Sequence, residues 1–310
     1  MRFDQTDIVI SQRSTADLLD MTLLVMRKYN FRLAGAYLIG CLPFVLLNSW
    51  LVGWMVTSEG LLTAELVDTS IVQMRWRHAI DQILLVFLEL PLAGMFATAF
   101  LGQVTFRQTL TWKQLIRFVS QQWFTAIVVL GVIRCGIVGP CLLLFLQRGD
   151  SYQPQLELVL FTFCAGGLAL ALRTFRPFLP EIIILERCSL IQRDAKQIRL
   201  GKRAHWLQMS LSAECASRMV IMMLLNAIGV TSLVLTWLFL QGVFFGRWQW
   251  NPLLDWLVVP GALWIVGGFS TVFRFLCYLD TRIIMEGWEV ELLLRTEAGR
   301  FQPAEAKGAS

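Results

Sequence analysis

The stretch Met219–Phe245, MVIMMLLNAIGVTSLVLTWLFLQGVFF, runs for 27 residues without a charged side chain. The hydrocarbon core of a bilayer is about 30 Å thick and takes roughly 20 apolar residues in helical form to cross. Within lipid every backbone N–H and C=O has to be satisfied internally, which makes such a run a helix. Working outward, five more runs of this kind lie at about 34–56, 82–104, 123–146, 156–175 and 253–277. The composition agrees: of 310 residues, 56% are hydrophobic and only 16% charged, with a mean hydropathy of +0.60. A soluble domain carries about 25% charged residues. The expected fold is therefore all-α, an integral membrane bundle of six transmembrane helices. The fourth run is the shortest, since its charge-free part, Leu158 to Leu172, has 15 residues. It spans if Glu157 and Arg173 sit at the two interfaces and snorkel; otherwise it is re-entrant.

Lysine and arginine fall on alternate loops. The N-terminal segment carries five, the loop after the second run three, the 173–218 loop nine and the tail from Arg274 five. The three other loops carry Arg75 and Arg77, Arg148, and Arg247. By the positive-inside rule both termini are expected in the cytoplasm, and the location is a bacterial inner membrane. Trp248, Trp250 and Trp256 suit an outer interface, and Trp112 and Trp123 an inner one.

The net charge of +5 does not point to nucleic acid, because the basic residues stand beside membrane ends, where orientation and anionic headgroups account for them. Membrane lipids are the expected partners, together with a membrane or cytoplasmic protein. The seven cysteines avoid the expected outer loops, which argues against an oxidised framework. No CxxC pair occurs and the two histidines, His78 and His205, fall on opposite sides, so no metal site is expected. GxSxG, HExxH and phosphate-loop motifs are missing, and neither a catalytic residue nor a cofactor is assigned.

Four parts follow: an N-terminal segment 1–33, a six-span domain 34–279, a C-terminal amphipathic helix 280–297 and a disordered tail 298–310. Ser14 and Asp17 form a capping-box-like opening to a helix over 14–28, with Leu18, Met21 and Val25 on one face and Arg27 and Lys28 at its end. In 280–297, Ile284, Trp288 and Leu292 share a face. Both helices are expected on the inner membrane surface or under the bundle. FLPEIIILE, 178–186, is expected to dip into the interface. Phe-Arg pairs recur in Thr105-Phe106-Arg107, Thr174-Phe175-Arg176 and Val272-Phe273-Arg274. A helix-like stretch precedes each odd-numbered span, so the chain parses as a threefold repeat of amphipathic helix, span, turn and span.

Charges inside spans are the usual pointers to function. Glu89, in the second run, and Arg134, in the third, are the candidates for an intramembrane ion pair, which reads either as a register-fixing bridge or as part of a substrate path. A second candidate is a polar cluster at the inner interface made by Asp280, Arg282 and Glu286, with Arg176 or Arg274 as the opposite charge. With Glu181 and Glu186 this group is also the one place where a lipid-modifying enzyme would find its acids and bases.

The run Arg274–Leu292, RFLCYLDTRIIMEGWEVEL, resembles the closing signature of a broad bacterial family: an aromatic pair, Asp-x-Arg-Ile, then Glu-Gly-aromatic-acid-x-Glu-Leu. That family is named for the membrane domain attached to some glycerophosphodiester phosphodiesterases. The opening from Arg13 to Lys28 is similar to its N-terminal amphipathic helix. The resemblance implies a six-span inner-membrane fold; no phosphodiesterase domain accompanies it in this sequence, so that activity is not carried over. The expected role is non-enzymatic, organising the membrane or binding a partner, with a transporter or channel as the first alternative and a membrane-embedded lipid enzyme as the second.

Overall fold

The computed structural model describes residues 13–57, 69–105, 111–147, 154–188, 190, 198–209, 212–246 and 248–286. Among them every regular element is helical. Helix α1, Thr15–Lys28, starts on Ser14, whose hydroxyl accepts from the Asp17 N–H at 3.2 Å while Asp17 accepts from the Ser14 N–H at 3.2 Å. This exchange satisfies donors that a helix start otherwise leaves unpaired. The Ser14 hydroxyl also donates to Asp17 Oδ2 at 2.7 Å, and this bond, with that from the Ser14 N–H, holds the exposed Asp17 carboxyl below its ordinary pKa. Leu18, Thr22 and Val25 are buried and Met21 packs against the core, which is the face expected from the sequence.

Helix α2, Asn30–Val52, and the short α3, Trp54–Thr57, form the first span. The second comprises α4, Thr69–Ala93, and α5, Met95–Thr105, which follow each other across Gly94. Pro91 lies in the last turn of α4, where its missing N–H loosens the helix. Helix α6, Trp112–Ser120, carries a second capping box, Thr111 with Gln114, and buries Leu115 and Val119. It bends by 59° into the segment Trp123–Ile133, made of α7, Trp123–Ala126, and a π-helical stretch, Ile127–Ile133. Helix α8, Val138–Gln147, follows. Helix α9, Pro154–Val159, a π-helical stretch Leu160–Gly166 and α10, Gly167–Phe175, make the fourth span. Next come α11, Leu179–Glu181, a π-helical turn Ile182–Glu186, and α12, Leu200–Met209. The long α13, Ser212–Phe245, and α14, Val259–Glu286, the latter entered through the π-helical Leu254–Val258, complete the bundle.

Among the described residues five helices are long and apolar enough to cross a membrane, 30–52, 75–105, 157–175, 213–245 and 254–286, and the bent segment through 112–133 makes up to six. The chain is an all-α, multi-pass membrane bundle. Helices α2, α4, α5 and α14 pack at its centre, while α13 leans on α14 by one side, with only 6% of its apolar window buried. The larger apolar core, which includes Leu18, Leu101, Ile183 and Phe275, lies where α1, α5, α11 and the end of α14 meet. Arg203, Arg218 and Arg274 gather there and make it the basic end of the bundle.

Four expectations change. The third run, 123–146, is not one helix: it breaks at Arg134–Ile137, where Cys135 has φ 60°. The Gly136 N–H reaches Leu130 O at 3.1 Å and the Ile137 N–H reaches Gly131 O at 2.8 Å, so the backbone stays bonded around a wider loop. Gly136 permits it, because a Cβ there would stand 2.7 Å from the Leu130 carbonyl oxygen. In the fourth run, Glu157 and Arg173 do not snorkel to interfaces; both are buried, Glu157 against Arg77, and Arg173 donating to the Phe87 carbonyl and lying over that ring. The stretch 178–186 packs inside the bundle, with Ile182, Ile183 and Ile184 buried, rather than dipping into the interface. The boundary at 280 also disappears, because α14 continues to Glu286; no breaker intervenes, and the Thr281 hydroxyl bonds to Cys277 O at 2.8 Å. Residues 287–297 of the expected helix, and the tail, lie outside the described residues.

The order of short helix then span recurs at α1–α2, α6–α7 and α12–α13. The Phe-Arg pairs are less alike. Phe175 is exposed after the fourth span, whereas Phe273 is buried within α14, and Phe106 and Arg107 are outside the described residues.

Candidate functional site

Along α14, Arg274, Tyr278, Arg282 and Glu286 recur every four residues and therefore share one face. That face meets α11, the π-helical turn after it, and α12. Arg274 Nε donates to Glu181 Oε1 at 2.7 Å, and Glu181 is wholly buried. The Tyr278 hydroxyl donates to Glu186 Oε1 at 2.7 Å. Arg203, from α12, bonds to Glu186 with Nη2 to Oε1 at 3.0 Å and also to Glu286. Arg282 reaches Glu286 Oε2 at 2.7 Å and stands 3.6 Å from Glu186. Two carboxylates are thus shared by two arginines and a tyrosine drawn from three elements. Burial lowers the Arg203 pKa, but hydrogen bonds to Glu186 and Glu286, and their charges, outweigh it and leave the guanidinium above its ordinary value.

Asp280 projects to a different side and forms a second knot. Arg218 Nη2, from α13, donates to Asp280 Oδ2 at 2.7 Å and to Glu214 Oε1 at 2.6 Å. The other oxygen of Asp280 accepts from the Arg13 backbone N–H at 3.1 Å, tying the start of α1 under α14. The Arg218 and Asp280 side chains are only 5% and 2% exposed. Charge-assisted bonds in so dry a place hold their geometry strongly.

Asp280, Arg282 and Glu286 thus divide between two knots, with pairing other than expected. Asp280 is bonded to Arg218 and not to Arg176 or Arg274; Arg274 is taken by Glu181, and Arg176 lends its carbonyl oxygen to Arg134. The helical twist decides this, since six residues separate 274 from 280 and put them on different faces. Arg282 and Glu286, which share a face, pair with each other at i, i+4.

The expected Glu89–Arg134 pair is not formed. Glu89, fully buried, accepts from Asn48 Nδ2 at 2.7 Å across the α2–α4 interface. Arg134 sits at the break in the third segment, where the loop sends its side chain to the basic end and the Arg176 carbonyl. Its sequence depth assumed an unbroken helix. Reading the sequence missed Asn48, Arg203 and Arg218: Arg218 stands immediately before the longest apolar run and looks like any interfacial arginine.

At the opposite end Arg77 pairs with Glu157 and approaches Asp81 at 4.0 Å, and Trp250 Nε1 donates to Asp255 at 2.8 Å. No group of three or more histidine, cysteine or acidic residues fit to hold a metal occurs among the described residues. No known protein family, curated protein or solved structure matches the chain.

Proposed function

We propose that the protein is a non-enzymatic membrane-organising protein that holds a partner at the basic end of its bundle, in a bacterial inner membrane with both termini in the cytoplasm. One observation carries this reading. Each carboxylate that a lipid enzyme would need there is already bound to an arginine: Glu181 to Arg274, Glu186 to Arg203, Asp280 to Arg218, and Glu286 to Arg203 and Arg282. A general acid or base has to be free to exchange a proton with substrate at the working pH. Carboxylates fixed in bridges between helices instead brace a platform. The transporter reading loses its expected pair, because Glu89 bonds to Asn48 between packed helices.

Charge asymmetry supports the orientation, with twenty-two Lys and Arg on the loops of one side against four on the other. Kinship with the family named for the phosphodiesterase membrane domain is part of the proposal. Its support is that the signature residues Asp280, Arg282 and Glu286 are hubs of the two ionic knots. The test is affinity purification of the full chain in mild detergent, against a charge-reversed Lys113→Glu/Arg117→Glu variant on the exposed side of α6. A protein recovered reproducibly with the native chain and lost with the variant is the expected result. Turnover of a phospholipid by the purified chain would overturn the reading.

A further inference from the structure

Between the third segment, the end of α10 and the start of α12 lies a cavity of about 430 Å³. Four cations line it, Arg134, Arg176, Arg199 and Lys202, and among the described residues no acidic one does. Its other walls are aliphatic: Val129 and Ile133 from the third segment, and Leu172, Leu179, Leu190 and Leu200. Charge of one sign crowded into a partly dry pocket is unfavourable unless a counter-charge occupies it.

Three observations say what that occupant is. Arg134 is 1% exposed, and its Nε has no hydrogen-bond partner, although its Nη2 is spent on the Arg176 carbonyl. A guanidinium that lines a cavity, buried and with a donor left idle, can receive an acceptor. Helix α12, ten residues long, begins at the cavity, with Leu200, Gly201 and Lys202 in its wall. The first N–H groups of a helix lack intrahelical partners and carry its positive end, which suits an anion. The Arg176 Nη1 lies 4.0 Å from the place where a Cβ of Gly201 would stand, so the guanidinium and the helix start converge. Glu181, whose charge acts on Arg134, is itself bound to Arg274.

We infer that this cavity binds a phosphate ester, its oxygens taken by Arg134, Arg176, Lys202 and the start of α12, and that its aliphatic walls receive the carbon chain of an anionic lipid. The wall passes from Val129 and Ile133, on the bent apolar segment, to the exposed cations Arg199 and Lys202. An amphiphile has that same order of parts. The inference needs the membrane placement but not the scaffold role, so the two fail separately: partner capture tests one and anion binding the other.

The experiment uses the full chain in neutral detergent, titrated with phosphatidylglycerol, phosphatidylcholine and, separately, inorganic phosphate. Native mass spectrometry and thermal shift read the binding. Phosphatidylglycerol should be retained in preference to phosphatidylcholine and should raise the melting temperature. Arg176→Gln/Lys202→Gln removes two exposed cations that form no ion pair in the network, and should weaken retention about 25-fold, at roughly fivefold per cation near a membrane surface. Lys113→Gln/Arg117→Gln, an equal loss of charge on α6, should leave retention unchanged. Arg134→Lys, which keeps the buried charge but not the fork, should weaken binding without unfolding the chain. If inorganic phosphate alone saturates the site and displaces the lipid, the phosphate site stands and its source is soluble. Equal retention of both lipids, or equal weakening by the α6 control, would overturn the inference.

Discussion

Glu89 and Asn48 each leave one oxygen without a partner, Oε1 and Oδ1, in a place closed to water. An unsatisfied buried acceptor costs about 1–3 kcal/mol. Replacing Glu89 by Gln supplies an N–H₂ that can return a bond to Asn48 Oδ1 while the existing bond is kept. Glu89→Gln is therefore expected to leave the detergent melting temperature unchanged or raise it, whereas Asn48→Leu should lower it; a large drop for Glu89→Gln would mean that its charge is needed. Combined with Arg134→Gln, Glu89→Gln should act additively, since the two residues share no bond. At Asp280 the balance is different. Removing one partner of a buried pair costs about 3–5 kcal/mol in soluble proteins, because the other charge is stranded. Asp280→Arg should abolish accumulation, and Arg218→Asp should restore part of it. Rescue by Arg176→Asp or Arg274→Asp instead would contradict the pairing seen here.

At the scale of elements, the close approach of α2 to the α4–α5 junction carries the centre of the bundle. A Cβ on Gly40 would stand 2.0 Å from the Ala93 carbonyl oxygen, and that atom is backbone that cannot swing aside. Without a strong hydrophobic drive between helices in lipid, small residues at such crossings supply the packing. Gly40→Ala should thus cost more than an ordinary overpacked core site, about 1–3 kcal/mol or above, read as a fall in melting temperature. Gly167→Ala, with nothing within 4 Å of the added carbon, is the matched control and should be silent. The short helices are legible in sequence where capping gives them away: Ser14 with Asp17 marks α1. The break at Arg134–Ile137 is not, since apolar residues on both sides read as one uninterrupted run.

For the whole molecule, the arrangement of the basic end makes a topological prediction. Reporter fusions after residues 115, 200 and 305 should report cytoplasm, and those near 68, 151 and 249 the outside. The critical position is 151, between α8 and α9. Helix α8 is only ten residues long, and the 59° bend from α6 into α7 precedes the segment that feeds it. A cytoplasmic signal at 151 would make that segment re-entrant and leave five full spans. The fourth candidate span, Glu157–Phe175, at 19 residues and about 1.5 Å each, reaches roughly 28 Å, close to the thickness of a hydrocarbon core.

Composition, long apolar runs and charge alternation determined the class of fold and the order of its apolar segments, because the cost of burying charge and open backbone in hydrocarbon is large and local. They also located the polar cluster at the end of α14, since a helix places Arg282 and Glu286 together by its own geometry. Only the tertiary structure decided who pairs with whom. Arg218 meets Asp280 across 62 positions of sequence, and Arg274 meets Glu181 across 93. Those pairings depend on how helices rotate and where a span breaks, and a charge carries no mark of its partner. The cationic cavity is the extreme case: the sequence marks Arg134 and Arg176 for other partners and does not single out Lys202, and the three come together only because a broken helix, a helix end and a helix start converge there.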